Sequence, residues 1–186
     1  MKPELKPELK PDMKIFLTGY RCTGKTTIGK LLADQLEFDF MDTDRVIEQQ
    51  TGSSILKIVQ THGWEKFRQI EKKTLLKTKN IKNTVVATGG GIIMDTENRE
   101  FIKANGVCIW LDADIKTILL RLNRDDKTRD SRPALTTDDL LKETDELIRQ
   151  RKPFYENTAH LRIDTSVHSP DEIVNIIDRR LKNVRQ

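Results

Sequence analysis

The sequence predicts a three-layer α/β fold, a five-stranded parallel sheet with helices on both faces. Five short apolar runs alternate with stretches whose apolar residues recur at helical spacing. The first run leads into a glycine-rich phosphate-binding pattern that opens a helix. At 186 residues the chain has length for about one domain with a sizeable core.

Residues 1–13 carry a tandem KPEL with Pro3, Pro7 and Pro11 at every fourth position. Proline cannot donate to a helix or ladder, so this segment reads as a disordered, polyproline-like tail, with Met13 as an alternative start. One ordered domain is expected over residues 14–186. Strands are expected over residues 15–19, 38–42, 84–89, 107–112 and 160–165. Several are apolar on both faces, as in a sheet covered from both sides. Ile28, Leu31, Leu32 and Leu36 form the stripe of a first helix, and Ile115, Ile118, Leu119 and Leu122 that of another. The last helix opens on Ser169, Pro170 and Glu172, a capping-box pattern, and carries Ile173, Ile176, Ile177 and Leu181. Residues 43–79 read as a helical insertion after the second strand, large enough to wall a pocket. Residues 123–137 (NRDDKTRDSRPALTT) are too polar to bury, and a loop of that length is usually functional or disordered.

Composition removes several classes. No apolar run approaches the ~18–20 residues that cross a bilayer, and the N-terminus has no secretory h-region. Cys22 and Cys108 have neither metal spacing nor the makings of a disulfide framework, which suits a reducing compartment. The net charge of +4 suits anionic small molecules and is too small to argue for nucleic acid. The basic cluster Arg179, Arg180 and Lys182 has a simpler reading as cations at a helix C-terminus.

Gly19-Tyr20-Arg21-Cys22-Thr23-Gly24-Lys25-Thr26 fits the P-loop pattern GxxxxGK[ST] between an apolar run and an amphipathic helix. The two glycines let the backbone curl so that its amides point at phosphate oxygens. The helix start adds unpaired amides and the positive end of the dipole. Lys25 can reach the β- and γ-phosphates, and the Thr26 hydroxyl can ligate Mg²⁺. No guanine-reading motif or DxxG switch follows, so a GTPase is not indicated. Asp112 superficially resembles the acid ending a Walker B strand, but it can equally cap the helix that follows, and it is assigned to structure. Small kinases of metabolites or nucleotides remain.

Asp42 and Asp44 end the second run. Two apart in an extended segment, they can face one cleft, one near Mg²⁺ and the other toward an acceptor hydroxyl. Arg68 follows Phe67, with Glu71 three residues on to orient it. Gly89, Gly90 and Gly91 end the third run, Arg132 lies in the polar loop, and Arg151 comes late in a helix. Together and in this order these segments resemble the shikimate kinase family over nearly the whole chain. The resemblance implies a nucleoside-monophosphate-kinase-like P-loop fold, with residues 43–79 as the substrate-binding region and 123–137 as a lid. It implies ATP-dependent phosphorylation of the 3-hydroxyl of shikimate, in aromatic amino-acid biosynthesis, by a cytoplasmic monomer.

Residue by residue, the resemblance implies catalysis by Lys25, Asp44 and Arg132, with Asp44 binding the acceptor diol and standing as candidate base. Nucleotide would be held by Gly19, Cys22, Thr23, Gly24, Lys25, Thr26, Thr27 and Arg132, with Arg121 and Pro170 at the adenine. Shikimate would meet Asp44, Phe67, Arg68, Gly89, Gly90, Gly91 and Arg151. Thr26 and Asp42 would hold Mg²⁺. Arginine forks match a planar carboxylate, and the low aromatic content (5%) does not favour a stacked nucleobase acceptor. One departure stands out: Cys22 occupies a place where the family usually has glycine, and a Cβ there is expected to limit backbone curvature. The rivals are a gluconate kinase on the same scaffold and a non-catalytic nucleotide-binding module. The presence of Lys25, Asp44 and Arg132 argues against the second.

Overall fold

The computed structural model describes residues 13–124 and 137–183. The strands are β1 (Lys14–Thr18), β2 (Asp39–Asp42), β3 (Thr84–Ala87), β4 (Val107–Asp112) and β5 (Leu161–Asp164). Between and after them run α1 (Lys25–Leu36), α2 (Thr43–Thr51), α3 (Ile55–Leu76), α4 (Thr96–Asn105), α5 (Ile115–Arg124), α6 (Thr137–Thr158) and α7 (Pro170–Asn183). All strand pairs are parallel, in the order β2-β3-β1-β4-β5. The chain leaves β1 toward one edge and later crosses to the other. A crevice therefore opens beyond the carboxyl ends of the central strands, where such sheets bind ligands.

Successive side chains of β1 serve opposite layers, as the pleat requires. Ile15 and Leu17 pack with Ile28, Leu32 and Leu36 of α1 and with Ile173 and Ile177 of α7. Phe16 faces a second core with Leu75 of α3, Ile102 of α4 and Tyr155 of α6. β1 and β3 are buried throughout, whereas the edge strands β2 and β5 keep exposed positions. Each fully buried large aliphatic or aromatic side chain contributes roughly 1.5–3 kcal/mol of transfer free energy.

The five expected strands are all present: β4 has the expected bounds, β1 is shifted by one residue, and β2, β3 and β5 are shorter than their apolar runs. Leu31 departs from its expected stripe: it is exposed, because the sheet-facing side of α1 is already filled by Ile28, Leu32 and Leu36. The expected helical insertion is α2 and α3, with a small core of Ile47, Ile58 and Phe67. Gly63 interrupts α3 with φ 79° and ψ 168°, a kink that redirects the half carrying Trp64 and Arg68. The capping box of α7 is formed, Ser169 N donating to Glu172 Oε2 at 2.8 Å and Glu172 N to Ser169 Oγ at 3.3 Å. Asp112 is structural but caps no helix. Its Oδ2 accepts from Arg162 at 2.6 Å, tying β4 to β5, and Asp114 caps α5 through Thr117 N. Apart from its ends in α5 and α6, the lid expectation, with Arg132, lies outside the described residues, as does nearly all of the expected tail. Among the described residues no helix is long and apolar enough to cross a membrane.

Candidate active site

The phosphate loop joins β1 to α1 and is shaped by its own backbone. Gly19 takes φ 142°, and a Cβ there would run into the Leu111 carbonyl. Thr23 Oγ1 donates to Tyr20 O at 2.8 Å, closing the turn. Lys25 Nζ donates to Gly19 O at 2.9 Å and to Tyr20 O at 2.7 Å. Although the side chain as a whole is only partly covered, its ammonium lies within the loop. Loss of water there lowers its pKa to about 8, against the opposing pull of Asp44. No side chain caps α1, so its first amides and dipole are left for an anion. The curvature expected to suffer at Cys22 is present, because Cys22 itself adopts the left-handed φ of 60°.

A cavity of about 370 Å³ opens over this loop, bounded by Lys25, Thr26, Thr27 and Gly24 on one side and Asp42 and Asp44 on the other. A second, of about 290 Å³, continues from Cys22, Thr23 and Thr27 to Arg121, His168 and Pro170. Thr26 Oγ1 donates to Asp42 Oδ2 at 2.8 Å. This pair of hard oxygens beside the loop suits a Mg²⁺ ion that takes one or two protein ligands and completes its shell with water and phosphate. Among the described residues no group of three or more His, Cys, Asp or Glu could hold a metal ion.

The two aspartates converge for a different reason from the one their spacing suggested. Asp42 ends β2 and caps α2, its Oδ1 accepting from Asp44 N at 3.1 Å and Arg45 N at 3.4 Å. Asp44 therefore stands in the first helical turn, not on an extended strand. The cap still turns it into the cleft, where its Oδ1 is buried without a hydrogen-bond partner. Burial, reinforced by Glu71, pushes its carboxyl up to about 6.

Beyond Asp44 lies a third cavity, of about 190 Å³, reached by Phe67, Arg68, Gly89, Gly90, Gly91 and Arg151. Arg68 is paired to the buried Glu71. Burial raises the pKa of Glu71, with the Arg68 charge opposing. The glycines are needed for room: a Cβ at Gly91 would strike the Arg68 guanidinium, and one at Gly89 would strike the carboxylates of Glu71 and Asp44. Thr43 Oγ1 receives Gly89 N at 3.1 Å, pinning this turn to α2. Gly90 O accepts from Tyr155 OH at 2.6 Å and Arg151 NH1 at 3.3 Å, and Tyr155 stacks on Trp110 at 5.6 Å. Arg21 and Arg151 both lie over the Tyr20 ring, at 5.2 and 5.6 Å. Arg21, Asp44 and Gly90 border the loop cavity as well as this one, so the two share a wall.

Every sequence-predicted site residue within the described range thus borders one of three adjoining cavities or, for Gly19, shapes the loop between them. Sequence reasoning missed Tyr20 and Arg21, which occupy unconstrained positions of the loop pattern, and Thr43. It also missed Ile55, Trp64, Leu147, Thr165 and His168, which come from distant segments. Only the aromatic Trp64, close before Arg68, carried a usable signal.

A sequence profile described as shikimate kinase matches residues 21–182. The chain belongs to the shikimate kinase family. It is 41% identical to a shikimate kinase of Caldanaerobacter subterraneus subsp. tengcongensis over 165 residues, 89% of this chain and 94% of the relative. The structure of an Acinetobacter baumannii shikimate kinase in complex with shikimate superposes with a TM-score of 0.83 at 33% identity, covering 92% and 94% of the two chains. These family likenesses carry the three-layer fold and a kinase activity with them. A gluconokinase of Sinorhizobium meliloti shares the fold alone, with a TM-score of 0.58 at 14% identity over 94% and 96% of the chains.

Proposed function

We propose that this kinase transfers the γ-phosphoryl group of ATP to the 3-hydroxyl of shikimate, giving shikimate 3-phosphate and ADP. The observation that carries the proposal is the shared wall. A cavity lined by Arg21, Arg68 and Arg151 together with the carboxylates of Asp44 and Glu71 adjoins the loop cavity, and Asp44 borders both. Arg68 and Arg151 suit the acceptor carboxylate, and Asp44 with the glycine backbone suits its hydroxyls. Among the described acids Asp44 is placed to receive the hydroxyl proton: Oδ1 is open to a donor, and a pKa near 6 leaves it ionised at pH 7 yet basic.

The new bond joins the acceptor oxygen to the γ-phosphorus as the bond to the β,γ-bridging oxygen breaks. That bridging oxygen leaves with ADP, and the hydroxyl proton passes to Asp44. Lys25 would turn from the loop carbonyls to the phosphates, and Arg132 of the lid segment is proposed to add a second cation. Mg²⁺ bound by Thr26 and Asp42 would neutralise phosphate charge. Coupled assays with shikimate and with gluconate test the reading. Turnover with shikimate and not gluconate is expected, and the reverse preference would overturn it.

A further inference from the structure

We propose that Arg121 is a positioning residue of the phosphate loop: anchored on Thr165, its guanidinium holds the Cys22 carbonyl and keeps a non-glycine residue in the left-handed conformation. This rests on the reading of the loop as a nucleotide site and deepens it. Arg121 comes from α5, far in sequence from the loop. Its NH1 donates to Cys22 O at 3.2 Å and to Thr165 Oγ1 at 3.0 Å, and its NH2 donates to Thr165 O at 2.7 Å. Thr165 is a firm base for this strut. It is buried, it follows β5, and its own amide donates to Asp112 O at the end of β4 at 2.7 Å. The sheet is thereby connected through Thr165 and Arg121 to one carbonyl of the loop.

The strut meets the loop where local chemistry is least favourable. Cys22 has φ 60°, a conformation that for a residue with a Cβ is disfavoured by roughly five- to thirtyfold against its right-handed alternatives. Its carbonyl accepts a charge-assisted hydrogen bond, the stronger kind, which offsets that preference. Cys22 borders both the loop cavity and the neighbouring one, while Arg121 borders only the latter. Whatever settles against Arg121 in the second cavity thus acts on the conformation of the first.

Inorganic tripolyphosphate separates this role from a contact with the base, because it has phosphates and no base. Binding of Mg²⁺-tripolyphosphate and Mg²⁺-ADP is measured calorimetrically for the wild-type protein, Arg121→Ala, Cys22→Gly and the double variant. Arg121→Ala is expected to weaken tripolyphosphate roughly five- to tenfold. In the double variant, glycine needs no strut, so tripolyphosphate affinity should return to about the wild-type value while ADP stays weakened. Thr165→Val, which removes only the Oγ1 anchor, should shift tripolyphosphate in the same direction by less and be rescued by Cys22→Gly in the same way. It carries the test should Arg121→Ala not fold. Unchanged tripolyphosphate binding in the Arg121 and Thr165 variants, or a loss that Cys22→Gly does not restore, would overturn the proposal. Wild-type protein that binds neither ligand would overturn the kinase reading instead.

Discussion

Arg68 and Glu71 form an ion pair one helical turn apart on α3 in which the Glu71 side chain is 1% exposed and that of Arg68 34%. The buried partner is held by packing, so the half-open partner is aimed into the cavity without needing a ligand to order it. The arrangement sets the direction of several measurements.

Glu71→Gln keeps the volume and removes the charge that orients Arg68. A hydrogen bond to a charged group is worth about 1.5–3 kcal/mol when covered and less for a side chain one-third open, so KM for shikimate should rise roughly tenfold. Steady-state assays at saturating ATP would show it; an unchanged KM would leave Arg68 oriented by its aromatic neighbours alone.

Gly91→Ala places a methyl group where the Arg68 guanidinium now lies. Shikimate affinity should fall by one to two orders of magnitude, roughly 1.4–2.8 kcal/mol, with ADP affinity unaltered. Titrating the two ligands separately provides the comparison, and equal losses in both would contradict it.

Asp42 has two jobs that Asp42→Asn pulls apart. Asparagine caps a helix about as well as aspartate, so the unfolding free energy from urea titration should hold to within about 0.5 kcal/mol. The carboxylate beside Thr26 is gone, so the Mg²⁺ concentration for half-maximal rate should rise at least about tenfold, and EDTA should stop turnover in both proteins.

Asp44 titrates near 6 in the fold against 3.8 when unfolded, so the folded state binds its proton more tightly. That preference adds stability that is complete below pH 3.8 and is lost as pH rises through about 6. Asp44→Asn carries no such titration. Without metal or nucleotide it should therefore exceed wild type in stability at pH 7, by on the order of 1–2 kcal/mol, and converge with it toward pH 4. Urea unfolding at the two pH values decides this. The same substitution should cost about a hundredfold or more in kcat.

The phosphate loop and the inner strands were legible because each is a local pattern: glycines and Lys-Thr at fixed spacing, and continuous apolar runs. Asp42 and Asp44 were found by sequence, but their shared orientation follows from a helix cap that spacing alone did not reveal. Leu31 obeyed the helical period and is nevertheless outside the core, since three neighbours already filled it. The conformation of Cys22 ran against its residue type because its support comes from Arg121, far along the chain. Tyr20 lies inside the loop pattern at a position the pattern leaves free, whereas His168 joins the site only through tertiary packing, which leaves no period or motif to read.

The wall made by Arg21, Asp44 and Gly90 is a single residue thick, so changes to it cannot be confined to one ligand. Effects measured there will be non-additive between donor and acceptor constants. Retargeting to a hydroxy acid other than the proposed acceptor should begin at Ile55, Trp64 and Leu147, which border the third cavity and not the loop cavity.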